Sequence, residues 1–135
     1  MGLTELNDFA KRYAKAWCSQ NPESVAAFYA EDGSLNVNDG PPSVGRQAIA
    51  QEARGFMNTF PDMEVAMDDL VRAPDGTVFH WTLTGTNTGP GGSGMRVRIS
   101  GYEVWQLEPD GLIRESKGRF DSAEYERQLK YGVED

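Results

Sequence analysis

The chain has 135 residues, of which 13 are basic and 21 acidic, a formal net charge of −8. Its length suits one domain, residues 1–135, since a compact domain takes roughly 100–200 residues. The 39% hydrophobic content, recurring at regular spacings, argues against disorder. The acidic balance repels a phosphate backbone and speaks against nucleic acid as a partner. No apolar run approaches the ~18 residues of a membrane span. No basic-then-apolar leader opens the chain, so the expectation is a soluble cytoplasmic protein. One cysteine, Cys18, and one histidine, His80, allow neither an internal disulfide nor a soft-ligand zinc cluster. Neither a metal nor a cofactor is expected.

Leu6, Phe9, Ala10, Tyr13, Ala16 and Trp17 recur at three- and four-residue steps, which predicts a first helix capped by Thr4. Asn21-Pro22 opens a short second helix carrying Val25, Phe28 and Tyr29 and stopping at Asp32-Gly33. Residues 34–38 read as a brief strand ended by Gly40-Pro41-Pro42. A third helix is predicted over 45–59, with Ala48, Ile49, Glu52, Ala53, Phe56 and Met57 on one side and Pro61 as its stop. From there the period becomes two. Residues 63–72, 77–86, 95–107 and 112–121 read as four strands of an antiparallel meander, and 122–131 as a last helix. Helices first and sheet second predict an α+β fold, helices packed on one face of a curved sheet.

Gly89-Pro90-Gly91-Gly92-Ser93-Gly94 satisfies the letter of a dinucleotide fingerprint. That site needs a helix after the loop to receive the pyrophosphate, and the residues that follow are a strand pattern. The segment reads as a hairpin loop.

Several segments together resemble the SnoaL-like polyketide cyclase family of the nuclear-transport-factor-like superfamily. They are Phe28-Tyr29-Ala30-Glu31-Asp32-Gly33, Gly45-Arg46-Gln47-Ala48-Ile49, Phe60-Pro61-Asp62, the stretch from Trp81 to Gly89, and the end from Asp110-Gly111 through Asp121 to Gln128-Leu129. Asn87 stands where the family commonly has a histidine. The resemblance implies a cone-shaped, cystatin-like half-barrel whose helices close an apolar pocket, a homodimer through the sheet's outer face, and a small-molecule ligand. It implies cofactor-free cyclase or isomerase chemistry on a small carbonyl compound. A non-catalytic ligand-binding or dimeric interaction domain is the alternative, because fold does not select function.

Asp121 matches the family's general base, and it is equally the first residue of a capping box, Asp121-Ser122-Ala123-Glu124. In an extended strand it shares a face with Glu115, Lys117 and Arg119. Arg119 then either meets an anionic or polar substrate or lies on a solvated or dimer surface. Glu103 lies on the apolar Val97, Ile99, Trp105, Leu107 face, so it is protonated or paired, with Arg98 or Arg119 as candidate partners. Its offset before Trp105 resembles the oxyanion-hole acid of ketosteroid isomerases, with Tyr13 as partner and Asp39 near the isomerase base. His80 is the one side chain with an ordinary pKa near neutrality; it enters the pocket if the Val78 face is concave and otherwise sits on the outer surface. Asn36 is a candidate to orient a substrate oxygen. Trp17, Tyr13, Tyr29 and Phe56 are core residues or pocket walls. On the tryptophan strand His80-Trp81-Thr82 does not supply the Arg-x-Asp pair of an epoxide hydrolase, and the second histidine of a scytalone-dehydratase-like site is absent.

Overall fold

The computed structural model describes residues 2–133. Helix α1 (Leu3–Cys18) buries Leu6, Phe9, Ala10, Tyr13 and Trp17 on the predicted face. Its cap is Gly2, whose carbonyl accepts from the Leu6 N–H, so Thr4 lies inside the first turn and does not cap it. Asn21 caps α2 (Pro22–Ala26) by accepting from the Glu23 N–H. This helix is shorter than its apolar spacing predicts. The next segment is strand β1 (Tyr29–Val37), because Tyr29 pairs with Ile113 far along the chain and the sheet overrides a local helical pattern. A two-residue strand, β2 (Ser43–Val44), pairs with β1 and precedes α3 (Arg46–Thr59).

Strands β3 (Glu64–Ala73), β4 (Gly76–Thr86), β5 (Arg96–Leu107) and β6 (Ile113–Phe120) form the expected antiparallel meander, followed by α4 (Ser122–Tyr131). The six-stranded sheet runs β2-β1-β6-β5-β4-β3, and β1 joins β6 in parallel. The result is an α+β fold, a curved open sheet packed against the N-terminal helices.

Alternation assigns the two faces of this sheet. Phe79 and Leu83 of β4, Val97, Ile99 and Trp105 of β5, and Ser116 of β6 are buried against the helices. The intervening residues, including Arg98, Tyr102, Lys117 and Arg119, are exposed on the outer face. The glycine-rich loop is a hairpin connection, as its sequence context predicts. It is fastened at three points: Gly89 N–H donates to the Thr59 carbonyl, Gly94 N–H to that of Asn87, and the Ser93 hydroxyl to that of Leu129. At Gly89 a Cβ would lie 1.9 Å from the Asn58 carbonyl oxygen, so only glycine allows this approach of loop to helix. Among the described residues no helix is long and apolar enough to cross a membrane.

Candidate functional site

A pocket opens between the concave face of the sheet and helices α1 and α3. Its inner lining is buried: Trp17, Leu35, Ile99, Glu103 and Gly118. Its outer lining is half-buried, with Glu52 and Phe56 of α3, Phe120, and Tyr125 of α4. Burial therefore grades from mouth to floor. The enclosed space is about 60 Å³, roughly the liquid share of two waters. A larger ligand extends through the mouth.

Glu103 is the polar group of that floor. It is 7% exposed and stands in register with Phe79 on one side and Gly118 on the other. Three donors converge on its Oε1: the Tyr13 hydroxyl at 2.9 Å, the Trp105 indole N–H at 3.0 Å and the Ser116 hydroxyl at 2.7 Å. Tyr13 has one proton to donate and gives it to Glu103, so Tyr29, whose hydroxyl is 2.7 Å away, is the donor to Tyr13. None of these bonds reaches Oε2, the oxygen left to the pocket. Neither Arg98 nor Arg119 pairs with Glu103, because both project from the outer face.

Burial pushes the Glu103 carboxyl above its ordinary value of 4.5, while the bonds from Trp105, Ser116 and Tyr13 pull it down. Loss of solvation wins because no cation among the described residues faces the group. Burial likewise raises both tyrosines well above 10.0, with the Glu103 charge adding to it, and so keeps their hydroxyls protonated. For Tyr13 the nearby Trp17 indole offers a partial offset, although its N–H makes no hydrogen bond of normal geometry.

The other candidates are dispersed. Trp17 and Phe56 line the pocket as walls. Tyr13 and Tyr29 are wholly buried behind Glu103 and act through it. Asp121 is exposed and accepts from the Glu124 N–H at 3.1 Å, which is the capping role. The reciprocal half of the capping box is unmade, since the Glu124 carboxylate accepts from Arg127 and Gln128 instead. Arg119 pairs with Asp39 on the outer face, away from the pocket. Asp39 sits in a left-handed turn (φ 61°) and does not oppose Glu103. Asn36 alternates with the pocket-lining Leu35 and Val37, so it faces outward, and its amide donates to the Gly40 carbonyl. His80 is outside as well, beside Tyr102 at 6.0 Å between ring centroids, because the Phe79 face of β4 is the concave one.

Sequence alternation could not flag Ser116, whose neighbour Glu103 becomes visible only with the β5–β6 register. Glu52 carried a signal that went unused: a carboxylate one turn before Phe56 on an otherwise apolar helix face. Trp81 was recognisable as facing Phe79 and Leu83, but not as pocket wall until that face proved concave. Among the described residues no group of three His, Cys, Asp or Glu side chains is placed to hold a metal ion.

Solved structures share this architecture at low identity. A protein from Jannaschia sp. CCS1, assigned as a SnoaL-like polyketide cyclase, superposes with a TM-score of 0.81 at 19% identity, covering 96% of this chain and 94% of its own. AclR from Streptomyces galilaeus, assigned as a hydroxylase, gives 0.79 at 18% identity over 95% and 82%. TsrD from Streptomyces laurentii gives 0.80 at 20% identity over 96% and 97%. No curated protein sequence matches the chain. The differing descriptions of the first two mean that the shared fold by itself selects no chemistry. The family assignment comes from sequence: the model of the SnoaL-like polyketide cyclases matches residues 7–129, from within α1 to within α4, and the chain belongs to that family.

Proposed function

We propose that the protein is a cofactor-free enzyme acting on small carbonyl compounds, with Glu103 handling the carbonyl oxygen. One observation carries this reading: a buried carboxyl at the floor of an apolar pocket, with all three of its hydrogen bonds on one oxygen. Burial favours its neutral form, and with Oε1 occupied as acceptor the proton belongs on Oε2. A neutral acid there donates to a substrate carbonyl and stabilises the negative charge that develops when the adjacent carbon loses a proton. Glu52, in the wetter mouth of the same pocket, is the carboxylate suited to accept that proton. The enolate carbon then attacks a second carbonyl of the same molecule, whose oxygen takes up a proton, and a ring closes. Return of the proton to a different carbon would instead shift a double bond. Either course balances without oxidant or reductant. Membership of the cyclase family supports the first.

Exchange of the α-hydrogens of cyclopentanone for deuterium, followed by proton NMR in D2O, tests this. The protein should accelerate exchange over buffer. Glu52→Gln, which cannot accept a proton, should lose about 10²-fold. Glu103→Gln keeps a weaker donor and should lose about tenfold. No acceleration by the wild-type protein, or a Glu103→Gln variant as fast as wild type, would overturn the reading. A non-catalytic ligand-binding domain is the second reading, favoured by the capping role of Asp121. It predicts that the ketone binds and does not exchange.

A further inference from the structure

Three tryptophans place three indole donors in this fold, and the fold treats them differently. Trp105, behind the floor, donates to Glu103. The Trp17 N–H is buried in a pocket-lining residue and has no hydrogen-bond partner among the described residues. The Trp81 N–H shares that state, buried in a pocket-lining residue with no hydrogen-bond partner among the described residues. A buried donor without an acceptor is costly, so native structures rarely keep one unless something completes it.

The position of Trp81 is a built one. Its cross-strand partner is Gly101, where a Cβ would lie 2.6 Å from Trp81 Cζ2. The glycine therefore lets the indole lie flat against β5, and Phe120 holds it edge-on at 6.0 Å. A ring fixed this way cannot swing its N–H to solvent without losing both contacts.

We infer that the Trp81 indole N–H is a specificity donor of the pocket, reading an oxygen atom of a neutral ligand. This rests on the reading that the pocket is the ligand site, and it narrows the ligand to one carrying an acceptor on the β4 side. Aromatic walls beside Glu52 and Glu103 would also suit an alkylammonium ion. An ammonium group offers only donors and would leave the Trp81 N–H unmet, so the oxygenated ligand is favoured.

The test uses the full chain with 15N-labelled tryptophan and 13C-labelled glutamate, and three probes of one shape. These are cyclopentanone, methylenecyclopentane and cyclopentylammonium. Indole signals are assigned through single Trp→Phe variants, and the Glu103 carboxyl carbon reports that the pocket is filled. Cyclopentanone should move the Trp81 N–H downfield, and methylenecyclopentane should not. Trp81→Phe, which keeps a ring and removes the donor, should weaken the ketone about fivefold and leave the hydrocarbon's affinity unchanged. If the ketone moves the Glu103 signal but leaves the Trp81 N–H in place, the donor assignment is wrong and the pocket reading stands. Equal weakening of ketone and hydrocarbon by Trp81→Phe would also overturn it, as would tighter binding of the ammonium probe. If no probe moves any pocket signal, the pocket reading itself fails and takes this inference with it.

Discussion

Glu103 accepts three hydrogen bonds on one oxygen, and its protonation is coupled to folding through burial. The folded state binds this proton more tightly than the unfolded chain does. Its stabilising contribution is therefore complete below the ordinary value of 4.5 and is lost as pH rises through the folded value. Within that window the wild-type protein should lose up to about 1.4 kcal/mol per pH unit from this group. Glu103→Gln, neutral at every pH and still able to accept at its oxygen, should erase that slope in urea titrations run at a series of pH values. Tyr13→Phe should cost about 1–3 kcal/mol, because it removes a donor from Glu103 and leaves the Tyr29 hydroxyl without its acceptor. Denaturant unfolding reads this directly. The sequence made Glu103 and Tyr13 legible as a pair, a carboxylate on an apolar strand face and a tyrosine on an apolar helix face. It left open what held the carboxylate. Tyr29 and Ser116 come from elements whose register no local pattern encodes, and the arginines offered as partners lie on the other side of the sheet.

At the scale of elements, α4 separates the two roles open to Asp121. Its side chain satisfies the Glu124 N–H of the first turn, and its carboxylate is exposed outside the pocket. Asp121→Ala should cost about 1 kcal/mol of stability, the usual worth of such a cap, while ketone exchange by the folded protein stays within about twofold of wild type. A larger loss of exchange than of stability would restore Asp121 to the chemistry. The sequence left both roles open for a physical reason: β6 alternates from Ser116 to Phe120, and Asp121 caps the helix that follows, so the strand's alternation no longer says where its side chain points. The short α2 carries a similar lesson. Val25, Phe28 and Tyr29 have helical spacing, yet Tyr29 belongs to a strand because its partner is supplied by β6. Long elements with many periodic residues were legible to within a residue or two. Segments settled by a distant partner were not.

For the molecule as a whole, the outer face of the sheet is the surface turned away from the pocket. It carries Tyr102 at 38% exposure and Val71 at 42%, with His80 and Thr82 nearby. We propose it as the surface of a homodimer. Sedimentation equilibrium should give twice the chain mass, and Tyr102→Asp, which would place a charge in that contact, should shift the protein toward monomer. A wild-type monomer at all concentrations would remove the proposal. The strand order has one more consequence, and it concerns time. Strand β6 lies between β1 and β5, so the first long strand has only the two-residue β2 beside it until the last one is in place. Synthesis runs from the N-terminus, and β1 must therefore wait with its long edge unpaired while the meander is completed. Contacts of such long sequence separation slow folding and leave an edge open to wrong partners meanwhile. The pocket wall built from Leu35, Val37, Gly118 and Phe120 straddles that late junction. A nascent chain halted before residue 113 would carry Trp17, Trp81 and Glu103 with no cavity to put them around.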